Sequence, residues 1–129
     1  MQQKKIILLA SDCESSRWVY HALKEAAGIE AVILEQPVSK KELAKNRIKK
    51  TGFVPVMGQV LFSALVVPLL KLQSQKRKTY LVSKYGLNSS AINSSKIYRV
   101  NSVNDEGSLK AIQLLQPDII VVNGTRIIG

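Results

Sequence analysis

The chain has 129 residues, 46% of them hydrophobic and 22% charged. That suffices for one globular domain with a buried core and is too apolar for a disordered chain. One cysteine excludes a disulfide framework and a multi-cysteine zinc site, and the expectation is a reducing compartment. The net charge is +10, but residues 40–78 hold ten Lys and Arg against Glu42, so the excess belongs to an insert and a uniformly basic nucleic-acid binder is not indicated.

Lys4 and Lys5 precede an apolar run, Ile6 to Ala10, that is too short for a signal peptide. Lys5 to Ala10 is continuous enough for a strand covered on both faces. Ser11 to Ser16 is polar and predicts a loop. Val19, Ala22, Leu23 and Ala26 recur at helical spacing, with Ser15 or Ser16 as N-cap and Gly28 as stop. Ala31 to Leu34 is a second buried strand, which completes a βαβ unit before Gln36-Pro37.

Ser39 caps a basic helix to about Lys50, with Glu42 completing a capping box. Gly52 and Pro55 interrupt the pattern, and Thr51 to Leu70 contains no charge. The apolar 53–70 stretch has three readings: a helix packed on protein, an interfacial helix on an anionic membrane, or a membrane span. Thr79–Val82 and Ile97–Val100 read as short strands, separated by an Asn- and Ser-rich loop over Gly86 to Ser95. Asn104 or Asp105 caps a helix to Leu115 that turns Leu109, Ile112 and Leu115 to the core. Ile119 to Val122 reads as a further strand buried on both faces.

Apolar strands alternating with helices predict an α/β fold with a mostly parallel sheet and helices on both faces. Ligands of such sheets sit at the carboxyl ends of strands, which selects the loops Ser11 to Ser16 and Asn123 to Gly129. The first loop leads into a helix N-terminus but lacks the spaced glycines of a dinucleotide site, and Asp12 and Glu14 oppose phosphate. Those carboxylates read as partners of the helix dipole. A hydroxyl- or amine-bearing substrate near Ser11 and Ser15 is compatible with the loop. Cys13 at a helix start has the position of an activated thiol, yet no base is visible near it, and it reads as a loop cysteine without a role. His21 falls outside the apolar stripe and reads as a surface residue.

Val100-Asn101-Ser102-Val103-Asn104-Asp105 stands before the last helix, and Pro117-Asp118-Ile119-Ile120-Val121-Val122-Asn123-Gly124-Thr125-Arg126-Ile127-Ile128 stands after it. Together these segments resemble the folate-dependent formyltransferase family, which includes methionyl-tRNA, glycinamide ribonucleotide and sugar N-formyltransferases. The resemblance is sharp over about residues 100–128. It implies a Rossmann-like three-layer fold truncated at the C-terminal edge. Residues 1–129 would be the N-terminal half of a formyltransferase domain, with the helical insert at about 39–78. It also implies a 10-formyltetrahydrofolate pocket bordered by Gly124, Arg126, Ile127 and Ile128, and a place in one-carbon metabolism. Because the positive charge sits in one insert flanking an apolar helix, the acceptor expected is a sugar amine or another small amine.

The family's catalytic Asn-x-His segment and later Asp are not among these residues. Asn123 precedes the Arg-Ile-Ile stretch and His21 lies in the first helix, so neither takes those roles. Formyl transfer needs preorganised donors for the tetrahedral oxyanion and a group to move a proton. The expectation is a transferase fragment that is inactive alone and self-associates through the Ile119–Val122 edge or the 53–70 helix. Its expected location is cytoplasmic, peripheral to the inner membrane surface if residues 40–78 meet anionic lipid. A basic insert also keeps contacts with tRNA open. The rival reading is a non-catalytic α/β module that docks on a membrane or partner through 40–78.

Overall fold

A computed structural model of the protein describes residues 4–126. In chain order the elements are β1 (Ile6–Ser11), α1 (Glu14–Ala26), β2 (Ala31–Glu35), α2 (Lys40–Thr51), α3 (Phe53–Lys84), β3 (Ile97–Val100), α4 (Glu106–Leu115) and β4 (Ile119–Asn123). They fall into two units, Met1–Pro37 with Asn88–Gly129, and Val38–Leu87.

The first unit is a four-stranded parallel sheet in the order β3-β2-β1-β4. Leu8 pairs with Val32 on one side and Val121 on the other. Alternation along the strands sends side chains to two cores. Leu8, Ala10, Val32 and Leu34 meet Tyr20 of α1, with Val19 and Leu23 alongside. Ile7, Leu9, Ala31 and Ile33 meet Ala111 and Leu115 of α4. The β1–β2 and β3–β4 crossovers run in opposite directions across the sheet, so crossovers of one hand place their helices on opposite faces. The mostly parallel α/β fold expected from the sequence is therefore present, in three layers.

Packing altered several local readings. In α1, Ala22 and Ala26 are exposed, whereas Ser16 and Tyr20 are buried. The Tyr20 hydroxyl donates to the Asn93 carbonyl at 2.5 Å, which lets a polar aromatic sit in the core. The helix starts earlier than Ser15 or Ser16 would give. Cys13 is the N-cap and makes no side-chain cap bond. In α4, Leu115 and half-buried Ile112 face the core as expected and Ser108 and Ala111 join them, while Leu109 is exposed. Asp105 is its cap, accepting from Ser108 N at 2.8 Å. β4 is not covered on both faces. It lies at the sheet edge, with Ile119, Ile120 and Val122 exposed and Val121 half-buried against the α1-side core.

The β2–β3 connection passes through the second unit and returns along α1. Ser89 accepts from Trp18 Nε1 at 2.8 Å, Ser90 Oγ lies 3.1 Å from His21 Nε2, and the Asn93 carbonyl also accepts from Lys24. Asn88–Lys96 thus carries the chain from the N-terminal end of α1 to the start of β3.

The second unit consists of α2 and α3. Ser39 Oγ accepts from Glu42 N at 3.2 Å, the backbone half of the expected capping box. Gly52, at φ 88°, breaks α2 from α3. Pro55 lies in the first turn of α3, where a missing N–H costs nothing. Thr79–Val82 is helical, contrary to the strand expectation. Four β-prone residues are too short a run to stop a helix whose preceding turns are rich in Lys, Gln and Leu. The helical insert accordingly extends to Lys84.

Candidate functional site

β1 sends its chain to α1 on one face, and β4 receives its chain from α4 on the other. Their carboxyl ends lie side by side, with Ala10 paired to Asn123. This is where the direction of winding reverses, the place where parallel α/β sheets hold ligands.

The loop after β1 and the turn after β4 are joined directly. Ser11 Oγ donates to the Gly124 carbonyl at 2.5 Å, and Asn123 Nδ2 donates to Ser16 Oγ at 2.9 Å. Gly124 has φ 68°, and a Cβ there would stand 3.1 Å from Ser11 Oγ. Only glycine combines that conformation with so close a neighbour. Ser11 is therefore occupied with the turn, whereas the Ser15 hydroxyl is exposed beside it.

Cys13 faces the same group of hydroxyls. Its Sγ lies 3.2 Å from both Ser15 Oγ and Ser16 Oγ. Partial burial pushes the thiol up. Hydrogen bonds from the Ser15 and Ser16 hydroxyls, the Ser16 backbone and the Ser11 hydroxyl outweigh it and bring it down to about 7. Asp12, one residue earlier, pairs with Arg17 at 3.0 Å on the surface.

Arg126 lies beyond the Gly124 turn. Its N–H donates to Glu35 Oε2 at 2.9 Å and its Nε lies 3.0 Å from Glu35 Oε1. Its Nη2 donates to the carbonyls of Asn101 at 2.6 Å and Gln36 at 3.2 Å. Glu35 is buried at the end of β2 and also accepts from Val103 N at 3.3 Å. One carboxylate thus gathers the Asn101–Val103 segment, the β2 end and the tail after β4. With both its backbone and guanidinium engaged, Arg126 ties the tail after β4 to the ends of β2 and β3. Gly124 acts likewise as a turn. Ile127 and Ile128 lie outside the described residues.

Sequence reading brought out Ser11, Ser15, Gly124 and Arg126, and the structure brings them to one end of the sheet. It missed Glu35, and it placed Asn123 in the selected loop without giving its side chain a role. The available signal for Glu35 was a lone carboxylate closing the otherwise apolar Ala31–Leu34 run, since a charge is kept in a core only with partners. His21 pairs with Ser90. Among the described residues no group of three or more His, Cys, Asp or Glu is placed to hold a metal. No family model, curated protein or solved structure matches the chain.

Proposed function

We propose that this chain supplies the cofactor-side half of a formyltransferase site, in which 10-formyltetrahydrofolate lies at the β1 and β4 ends and a small or sugar amine is the acceptor. The observation that carries this reading is the convergence on Glu35 of the two segments that resemble the family. Val103 N and Arg126 N both donate to that one carboxylate, although they belong to separate stretches of sequence. A folate pterin is flat and bears many donors and acceptors, so it suits a rim of fixed backbone groups. The Gly124 turn and the clamped Arg126 provide such a rim and fit a positioning role toward the cofactor. The bound folate would supply the transferable formyl group.

In this reading the residues present bind and orient. Ser15 offers an exposed hydroxyl to a polar substrate. None takes the role of oxyanion donor or proton shuttle, because the Asn-x-His segment is not among them. The test is ¹H–¹⁵N chemical-shift mapping with 5-formyltetrahydrofolate, a stable analogue. Saturable shifts confined to Ser11–Ser16, Asn101–Val103 and Asn123–Arg126 support the proposal. No saturable shifts at millimolar analogue, or shifts elsewhere only, reject it.

A further inference from the structure

The second unit supports an inference that does not depend on folate. α3 is 32 residues long, and Val56 is its buried side chain. Its uncharged part, Phe53 to Leu70, extends for about 27 Å, close to the thickness of a bilayer's hydrocarbon core. The two sides of this helix differ. Val56, Gln59, Val60 and Ser63 line a cavity of about 430 Å³ with Leu43 and Arg47 of α2. Arg47 Nη1 donates to Gln59 Oε1 at 2.9 Å, so the side of α3 that carries Gln59 and Ser63 faces basic α2. On the opposite side Val54, Leu61, Phe62, Leu65, Leu69 and Leu72 are each more than half exposed.

Charge frames that apolar side. The unit carries eleven Lys and Arg against Glu42, while the rest of the chain balances eight cations with eight carboxylates. Lys45, Lys49 and Lys50 precede the apolar stretch, and Lys71, Lys76 and Arg77 follow it. An apolar stripe bounded by cations at both ends matches a membrane surface bearing anionic headgroups.

The topology excludes a single span. The unit leaves after β2 and returns to β3, and these strands are hydrogen-bonded neighbours, with Val32 facing Ile97. Both connections must stay on one side of any membrane. A crossing by α3 would need a second crossing. α2 has six cations in twelve residues, and Tyr85–Lys96 has no helix to satisfy its backbone in lipid. We infer that α3 is a one-sided anchor, lying in the headgroup region of an anionic bilayer with its Val54–Leu72 stripe against the acyl chains.

The test is flotation of the full chain with vesicles of phosphatidylcholine alone or with about 30 mol% phosphatidylglycerol. The wild-type chain should float with anionic vesicles, and rising salt should weaken the association. Leu65→Glu/Leu69→Glu, on exposed positions, should abolish flotation while far-UV circular dichroism stays unchanged. Lys71→Gln/Lys76→Gln should weaken partitioning about 25-fold, near fivefold per cation. Phe62→Trp with brominated lipids should be quenched most strongly by shallow bromines. Three outcomes overturn the inference: no flotation with anionic vesicles, strongest quenching by bromines at the bilayer centre, or a stable dimer lost in the Glu variant without lipid binding. None of these outcomes bears on the folate titration, so the two proposals fail separately.

Discussion

The buried carboxylate of Glu35 holds Arg126 twice, through its backbone N–H and through its guanidinium, across 91 residues of sequence. Breaking it leaves Arg126 N and Val103 N without their acceptor in a part-buried setting. Glu35→Ala should lower stability by about 1–3 kcal/mol, and Glu35→Gln by less, because the amide oxygen still accepts one bond. Urea denaturation followed by circular dichroism checks both. Equal midpoints for wild type and Glu35→Ala would show that the carboxylate is dispensable.

Gly124→Ala should destabilise by about 1–2 kcal/mol, from the left-handed backbone and from the approach to Ser11 Oγ. Ser11→Ala removes the hydroxyl that both crowds this position and bonds the Gly124 carbonyl. The two changes should therefore be non-additive, with the double variant more stable than the summed single losses predict. Chemical denaturation of the four proteins measures that coupling.

Alkylation of Cys13 by iodoacetamide should be half-maximal near pH 7, where its thiol titrates. Ser16→Ala, which removes one hydroxyl partner, should move the midpoint upward. Because the folded thiol titrates below its unfolded value, the thiolate's stabilising contribution is fully present above the unfolded value and is lost as pH falls through about 7. Cys13→Ser should abolish that pH-dependent component. Denaturation midpoints at pH 6 and pH 9 give the comparison, and an identical pH response of wild type and Cys13→Ser would contradict it.

The β4 edge should promote association at high concentration, since it presents Ile120 and Val122 beside an open strand edge. Val122→Lys should shift sedimentation toward the monomer in detergent-free buffer without loss of helical signal. If association persists in that variant and disappears in Leu65→Glu/Leu69→Glu, α3 and not the edge is responsible.

The parallel sheet was legible because β1 and β2 are unbroken apolar runs, and such runs need cover on both faces. Ile119–Val122 has the same composition but a different fate: hydrophobicity signals a strand and not its place in the sheet. Edge position is decided by pairing order, which is non-local. Tyr20 and Ser16 escaped a simple apolar count because their burial relies on partners far along the chain, Asn93 for one and Asn123 for the other. The loops that hold Ser11, Ser15, Gly124 and Arg126 were legible because loops at strand ends can be located from the strand pattern, whereas Gly124 and Arg126 themselves were singled out only by the family resemblance. Glu35 was hidden inside an element that reads as core, and its partners Val103 and Arg126 become neighbours only after the sheet forms.

The Asn88–Lys96 strap has a further implication. It alone restores the path from β2 to β3, held to α1 by Trp18, Tyr20, His21 and Lys24, so the fifty residues that intervene need not register with any strand. A change in the length of that cassette would therefore leave the pairing of Val32 with Ile97 untouched. The sheet's connectivity is indifferent to what the intervening residues build.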